Sequence, residues 1–458
     1  MNNSQKIDMD SIDDVRNALD KKSLRVCVIG IGRIGFPTAL SFAKAGLETI
    51  GVDINEKLVD SINTGNFSLK DEPGQEELFN EIRKNGKFSA TTKIDDAVPQ
   101  SDLILLSLPT PMDENNIPDY SALRIVGKQL AKILEPKSVV IVESTIEPGF
   151  IEHEFATIIN ESGKLKAGKN FTIGVCPENA NPGEILHDFN SLPRLVGGIN
   201  ENTTKIITLI YRTVFSVELI ELPNCKTANA VKLTTNVFRD LNIAYVNELA
   251  LMFDKLGIDT LEVLEAAKKK YNFQIHLPGP GVGGPCLPIN SYQFLNTAKK
   301  VGVKLNLVKS CREVNERMSD HVIDLVTDAF QEINKSVNKS KILILGVSYK
   351  PDVKDIQLTP AKEIVKKLQD IGVEILIHDP FYVGNEVFGI KVEEKISDII
   401  SEVDAAIIVT AHKEFNLIDP SIFSQMKSPI LVDTRGIIDM ISAKKIGLVF
   451  RGIGRGNI

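Results

Sequence analysis

An apolar run, Arg25-Val26-Cys27-Val28-Ile29, leads directly into Gly30-Ile31-Gly32-Arg33-Ile34-Gly35 and then into a helical stretch from Phe36 to Ala45. No other segment restricts the fold as tightly. The strand, the glycine turn and the helix are the first half of a βαβ unit. Pro37 suits the first helical turn, where its missing N–H costs little, and Gly46 ends the helix. Glu48 to Val52 reads as the next strand, and Asp53 stands at its end, about twenty residues past the first glycine. Gly30 allows the tight turn, Gly32 lets the backbone approach a pyrophosphate, and Gly35 permits close packing of helix on sheet. An acidic residue at 53 accepts from ribose hydroxyls, which favours NAD over its phosphorylated form.

Further strands are expected at Leu103–Leu108, Ser138–Val142, Phe171–Val175 and Leu195–Gly198, with helical patterns between most of them. A second strand–helix series starts at Lys341-Ile342-Leu343-Ile344-Leu345-Gly346 and continues at Val373–His378, Ala405–Thr410 and Ile430–Asp433. Strand–helix alternation implies a parallel sheet covered on both faces. The fold class is therefore α/β, with two Rossmann-like doubly wound domains. Between them lies a helical middle, opened by a long segment from Thr227 to Leu256 that Gly257 closes. A shorter helix (Thr260 to Lys270) follows, and a helical run is expected from Asn290 to Phe330. The expected division is a polar leader (1–22), a dinucleotide domain (23–216), a helical central domain (217–335) and a smaller α/β domain (336–458).

At 458 residues the chain is long enough for two or three domains. A formal net charge of −7 and the lack of a basic block argue against nucleic acid and anionic membrane as partners. No apolar run reaches the roughly 18 residues of a spanning helix, and the leader lacks the apolar core of a secretory signal. Five cysteines, Cys27, Cys176, Cys225, Cys286 and Cys311, are scattered without CxxC spacing. Neither a zinc site nor a disulfide framework is expected, and a reducing cytoplasm fits.

Pro278-Gly279-Pro280-Gly281-Val282-Gly283-Gly284-Pro285-Cys286-Leu287-Pro288-Ile289-Asn290 is neither helix nor regular strand. It reads as a tight loop that fixes a thiol and lets a ligand approach the main chain. A free cysteine is usually a small buried hydrophobe; that reading suits the other four, and the loop sets Cys286 apart. Asn229, Lys232, Asn236 and Asp240 keep helical spacing and form one polar stripe on the long helix. Such a stripe could be a solvated face, but its apolar surroundings argue for a site. Glu143-Ser144-Thr145 and Pro177-Glu178-Asn179 end two strands, where open parallel sheets bind their ligands.

Together these segments resemble the UDP-glucose/GDP-mannose dehydrogenase family over nearly the whole chain after the leader. The ordered set that carries the likeness is Gly30 to Gly35, Leu108-Pro109-Thr110-Pro111, Glu143-Ser144-Thr145, Pro177-Glu178, Lys232 with Asn236, the cysteine loop, and Tyr349-Lys350-Pro351. The wording from Gly279 to Gly284 is most similar to the branch that oxidises UDP-N-acetylhexosamines of the mannosamine or glucosamine type. The resemblance implies a two-step, four-electron oxidation of C6 with NAD, without metal, through a thiohemiacetal and a thioester on Cys286. It implies catalytic roles for Cys286, Lys232, Asn236, Glu178, Thr145 and Asn290. Gly30, Ile31, Gly32, Arg33, Ile34, Gly35, Asp53, Pro109, Thr110, Ser144 and Thr145 would hold the cofactor. Glu178, Asn179, Lys232, Asn236, Gly283, Tyr349, Lys350 and Arg435 would hold a UDP-sugar, and the long helix would form the core of a homodimer.

The chain departs from the family pattern at several charged positions. Asn290 stands for an aspartate, Asn229 for a glutamate, Asn272 and Gln357 for arginines, and Pro285 for a histidine. An amide keeps hydrogen bonding but takes no proton. Other readings are a UDP-glucose 6-dehydrogenase, a one-step dehydrogenase of a hydroxy acid, and a degenerate homologue that binds NAD or a UDP-sugar without turnover.

Overall fold

The computed structural model describes residues 7–66, 72–161, 163–274 and 276–456. The outer part of the expected leader, residues 1–6, lies outside them; Ile12–Asp20 is a helix. Among the described residues the first sheet has eight strands: β1 (Arg25–Ile29), β2 (Glu48–Val52), β3 (Phe88–Thr91), β4 (Leu103–Leu106), β5 (Val139–Val142), β6 (Thr172–Val175), β7 (Arg194–Gly198) and β8 (Leu219–Leu222). Their order is β3-β2-β1-β4-β5-β6-β7-β8, parallel except where β7 runs against β6. Strands β4, β5 and β6 are buried at every residue, as continuous apolar runs covered on both faces should be. The chain order reverses between β1 and β4, which makes that gap the crevice where a ligand binds.

The second sheet is built from β9 (Lys341–Leu345), β10 (Glu374–His378), β13 (Ala405–Ile408), β14 (Ile430–Asp433) and β15 (Val449–Gly452). All five are parallel in the order β10-β9-β13-β14-β15, with a small β11–β12 hairpin (Glu386–Val387 and Ile390–Lys391) beside them. Its switch point lies between β9 and β13.

Edge strands β3, β8 and β15 were not expected from the pattern, being short and only partly apolar. The first sheet continues past residue 216 to take in β8. The run expected as one helix from Asn290 to Phe330 is two, Leu287–Lys300 and Asn306–Glu332. Gly302 sits between them at φ +75°, a left-handed conformation that stops a helix.

The chain divides into two compact units. One runs to Thr235 and includes Tyr292–Val301; the other holds Asn236–Ser291 and everything from Gly302. The long helix, Cys225–Leu256, and the helix Leu287–Lys300 each contribute to both. Among the described residues, no helix is long and apolar enough to cross a membrane.

Candidate functional site

In the first unit the glycine turn closes β1 against β4. Gly30 takes φ +86°, and a Cβ there would stand 2.6 Å from the Ser107 carbonyl. A Cβ on Gly35 would fall 1.8 Å from the Gly30 carbonyl, so helix and turn touch with no room for a side chain. A Cβ on Gly32 would meet nothing within 4 Å. That open face lies next to the start of the Gly35–Lys44 helix, whose N-cap residue, Ile34, offers no side-chain cap. Helix N–H groups left in this way suit a phosphate. Ile31 is buried beneath the turn, and its N–H donates to Asp53 Oδ2 at 3.1 Å. Asp53 Oδ1 accepts from Asn55 N at 3.0 Å. Arg33 pairs with Glu72 at 2.7 Å, and Glu72 also accepts from Gly183 N. An open face, an uncapped helix start and a strand-end carboxylate fit a dinucleotide such as NAD.

Beyond β4, Ser144 stitches the loop that carries Pro109 and Thr110. Its hydroxyl accepts from Leu108 N at 2.9 Å and donates to Leu108 O at 2.7 Å. Thr110 Oγ1 donates to Thr145 O at 2.9 Å, and Gln293 Nε2 donates to the same carbonyl at 3.1 Å. Neighbouring Glu147 is buried and anchors Asn296 and Lys300 of the Leu287–Lys300 helix.

Glu178 is tied to a residue that the sequence did not single out. Arg194 is 2 % exposed, and its Nη1 donates to Glu178 Oε2 at 2.6 Å. Its guanidinium carbon lies 3.8 Å from the Phe215 ring centroid and 4.5 Å from that of Phe189. Burial works against its charge, but Glu178 outweighs that, with help from Cys176 and Glu143, and holds Arg194 above the usual range. Glu178 Oε1 accepts from Asn179 N and Ala180 N. Glu143 is sealed at 2 % exposure and accepts from Ser107 Oγ and Tyr211 OH. Burial pushes its carboxyl up, against the nearby Arg194. Asn179 Oδ1 in turn receives the Lys232 ammonium at 3.0 Å, so the buried arginine, the glutamate's loop and the lysine form one chain of contacts. Asn229, on the same helix, is fully buried, and neither amide atom finds a hydrogen-bond partner among the described residues.

The second unit holds the thiol loop. Asn290 N donates to Cys286 O at 2.9 Å, the first bond of the Leu287–Lys300 helix, so Cys286 takes the N-cap position. The positive end of that helix lies beside any charge that develops there. Cys286 is exposed, and the other four cysteines are buried. Burial pushes the thiols of Cys27 and Cys176 up to about 12, and those of Cys225 and Cys311 higher still. Asn236 Nδ2 donates to Asn290 Oδ1 at 2.6 Å. Gly283 and Gly284 press on the segment after β9. A Cβ on Gly283 would lie 2.4 Å from the Leu358 carbonyl, and one on Gly284 would lie 2.6 Å from Tyr349 Cε2. Gly284 N donates to Gln357 O at 2.9 Å.

Around the second switch point, Tyr349 and Lys350 follow β9, and Arg435 follows β14. Arg435 Nη1 is 2.7 Å from where a Cβ on Gly279 would stand, and its Nε donates to Val409 O. Burial pulls this guanidinium down to about 10, so it is still a cation at neutral pH. Sequence reasoning missed the buried pair beneath these residues. His412 Nε2 meets Asp379 Oδ2 at 3.1 Å, and Asp352 N donates to His412 Nδ1 at 2.9 Å. With Nδ1 accepting, the proton sits on Nε2 and points at Asp379. Each lies just past a strand end, the one signal that could have found them. Among the described residues, no cluster of His, Cys, Asp or Glu could hold a metal ion.

Three family models match this chain in order. They are the NAD binding domain (24–215), central domain (226–317) and UDP binding domain (343–440) of the UDP-glucose/GDP-mannose dehydrogenase family. A UDP-N-acetyl-D-mannosamine dehydrogenase of Pyrococcus horikoshii is 33 % identical, over 95 % of this chain and 100 % of its own length. One from Campylobacter jejuni is 33 % identical over 85 % and 96 %. A solved structure of the Pyrococcus horikoshii UDP-D-ManNAc dehydrogenase superposes with a TM-score of 0.88 at 31 % identity, covering 95 % of this chain and all of that one.

Proposed function

Because the chain belongs to the UDP-glucose/GDP-mannose dehydrogenase family and is an NAD-dependent nucleotide-sugar dehydrogenase, we propose that it oxidises C6 of a UDP-N-acetylhexosamine twice, from alcohol to carboxylate, through Cys286. The observation that carries the thiol's role is the contrast among the cysteines: Cys286 is exposed at a helix N-cap in a glycine loop, while the other four are buried.

NAD, when bound, supplies the hydride acceptor for both oxidations. The first oxidation turns the alcohol into an aldehyde. The Cys286 sulfur then bonds to the aldehyde carbon and gives up its proton, forming a thiohemiacetal. Loss of a second hydride and a proton leaves a thioester. Water adds to that carbonyl, the carbon–sulfur bond breaks, and the thiol is restored with a carboxylate as product. The covalent link keeps the aldehyde from escaping between steps.

Lys232 and Asn236 stabilise the oxyanion at C6, the lysine oriented by Asn179. Thr145 and Glu178 attend the proton and the water. Three of the roughly four lone-pair sites of the Glu178 carboxylate are taken by Arg194, Asn179 N and Ala180 N, which leaves one for a water. Asn290 holds Asn236 in place but takes no proton. Tyr349, Lys350, Arg435 and the Gly283 backbone hold the UDP group, with Lys350 and Arg435 as its cations.

A homodimer forms through the long helix. Phe238, Tyr245, Met252 and Leu256 are exposed there at spacings of seven and four, an apolar seam for a second copy.

The reaction is tested by incubating the protein with NAD and a panel of nucleotide sugars, reading NADH by absorbance and product by mass. Two NADH per sugar and a carboxylate product from a UDP-N-acetylhexosamine are expected, and Cys286→Ser should not complete the oxidation. One NADH per sugar overturns the two-step reading; none with any nucleotide sugar favours a binding protein.

A further inference from the structure

We propose that Asp240 and Asn247 are positioning residues that clamp the two ends of the cysteine loop and so set where the Cys286 sulfur stands. The proposal rests on the role given to Cys286 above.

The loop cannot order itself. Between Gly279 and Cys286 it has three more glycines, which lose the most conformational freedom on folding and bring no side chain to pack. Its middle is tied once, by Gly284 N to Gln357 O, and its two ends are held to the long helix. At the start, Gly279 N donates to Asn247 Oδ1 at 2.9 Å. At the far end, Ser291 Oγ donates to Asp240 Oδ2 at 2.7 Å. Asn315 joins the two anchors: its Nδ2 donates to Asp240 Oδ1 at 2.8 Å, and its Oδ1 accepts from Asn247 Nδ2 at 2.9 Å. Arg312 Nη1 closes on both Asp240 oxygens, at 3.0 and 3.1 Å.

One line of hydrogen bonds thus runs from Ser291 through Asp240, Asn315 and Asn247 to Gly279. Asp240, Asn247 and Ser291 are fully buried, Asn315 is 1 % exposed and Arg312 4 %. A buried ion pair adds little net stability over apolar packing of the same volume, but its geometry is directional. Asp240 and Asn247 are seven apart on the rigid long helix. That spacing places both on one face, two turns apart, and fixes the separation of the loop's ends. Asn236, four residues before Asp240, adds its bond to Asn290. The long helix therefore holds the segment around the thiol at three points, beside the Gly284 bond to Gln357 O.

The test uses the full chain with Ser291→Ala, which deletes one oxygen, and Asn247→Ala. Two readouts are taken. The first is the rate at which iodoacetamide alkylates Cys286 without substrate, followed by mass. The second is NADH formed per UDP-sugar, with aldehyde trapped by hydroxylamine. Both variants should shift the alkylation rate by about threefold or more. They should also release trappable aldehyde and lower the NADH count from two toward one, with KM for the sugar nearly unchanged. Ser291→Thr, which keeps the hydroxyl, should restore the wild-type ratio. Variants with a lower melting temperature but unchanged alkylation and no aldehyde would make the network mere packing and overturn the proposal. If the wild type turns over no nucleotide sugar, the functional reading fails, while the alkylation rates still decide the clamp. Should Asn247→Ala not fold, Ser291→Ala decides it.

Discussion

Asn236 Nδ2 lies 2.6 Å from Asn290 Oδ1, so two neutral amides face each other one helical turn past Cys286. Asn236 projects from the long helix four residues beyond Lys232. In the proposed reaction Asn236 donates to a developing oxyanion and Asn290 holds it there, and neither amide can take a proton from water. Only the hydrolysis calls for a base that activates water, so a change at residue 290 that adds one should act on the hydrolysis and leave the oxidations nearly unchanged.

Asn290→Asp keeps an acceptor for Asn236 and adds a base. Positioned general bases contribute about a hundredfold or more; a gain of about tenfold in thioester hydrolysis is expected here, since the proposed mechanism already gives the water to Glu178 and Thr145. Rapid mixing should show the wild type releasing a burst of NADH followed by slow turnover, with acyl adduct on Cys286 by mass. The variant should lose the burst and raise kcat.

Gly284→Ala should damage the site without unfolding the protein. Gly284 has φ +88°, and an added Cβ would stand 2.6 Å from Tyr349 Cε2. The left-handed backbone costs about 1 kcal/mol for alanine, and displacement of the tyrosine adds to it. Because Tyr349 is assigned to the UDP group and Gly284 is two residues from Cys286, both KM and kcat should worsen. Steady-state kinetics against UDP-sugar, with circular dichroism to confirm folding, checks this.

Much of this candidate site was legible because its signals are local. The strand, Gly30-Ile31-Gly32-Arg33-Ile34-Gly35 and Asp53 are one continuous unit whose spacing is set by backbone geometry. The thiol loop declared itself by glycine and proline alone, and the Asn236–Asp240 stripe by helical period. What stayed hidden depends on strands that meet only after folding. Arg194 reaches Glu178 because β7 turns back antiparallel to β6, a reversal that no residue pattern announces. His412 and Asp379 follow β13 and β10, which flank β9 on opposite sides, so nothing along the chain links them. Strands β3, β8 and β15 end sheets or lie near their edges and lack the apolar runs of the central ones, and Gly302 broke a helix whose periodicity continues on either side.

Asp379→Asn should change how stability depends on acid. Burial pushes this carboxyl up, but His412 and the N–H groups of Val347 and Phe381 outweigh it and hold it below the ordinary range. A depressed folded-state pKa stabilises the protein above the unfolded value, near 3.9, and that contribution fades as pH falls through the folded value. The variant should therefore be weaker by about 2 kcal/mol at pH 7, the scale of a charge-assisted hydrogen bond. The gap should shrink as pH drops below about 4. Urea unfolding of both proteins at pH 7 and in acid measures it.

Tyr245→Glu should take apart the proposed dimer and leave the fold intact. Tyr245 is 52 % exposed on the long helix, seven residues from both Phe238 and Met252, so it stands mid-seam. A charge there would have to be desolvated on association and, across a two-fold axis, would face its own copy. In the monomer the same residue points to water, so thermal stability at low protein concentration should change by about 0.5 kcal/mol or less. Sedimentation equilibrium should find the wild type at twice the chain mass of 50.4 kDa and the variant at the chain mass. A wild type that sediments as a monomer at micromolar concentration would remove the seam as an interface, and Phe238, Met252 and Leu256 would then be a bare apolar face.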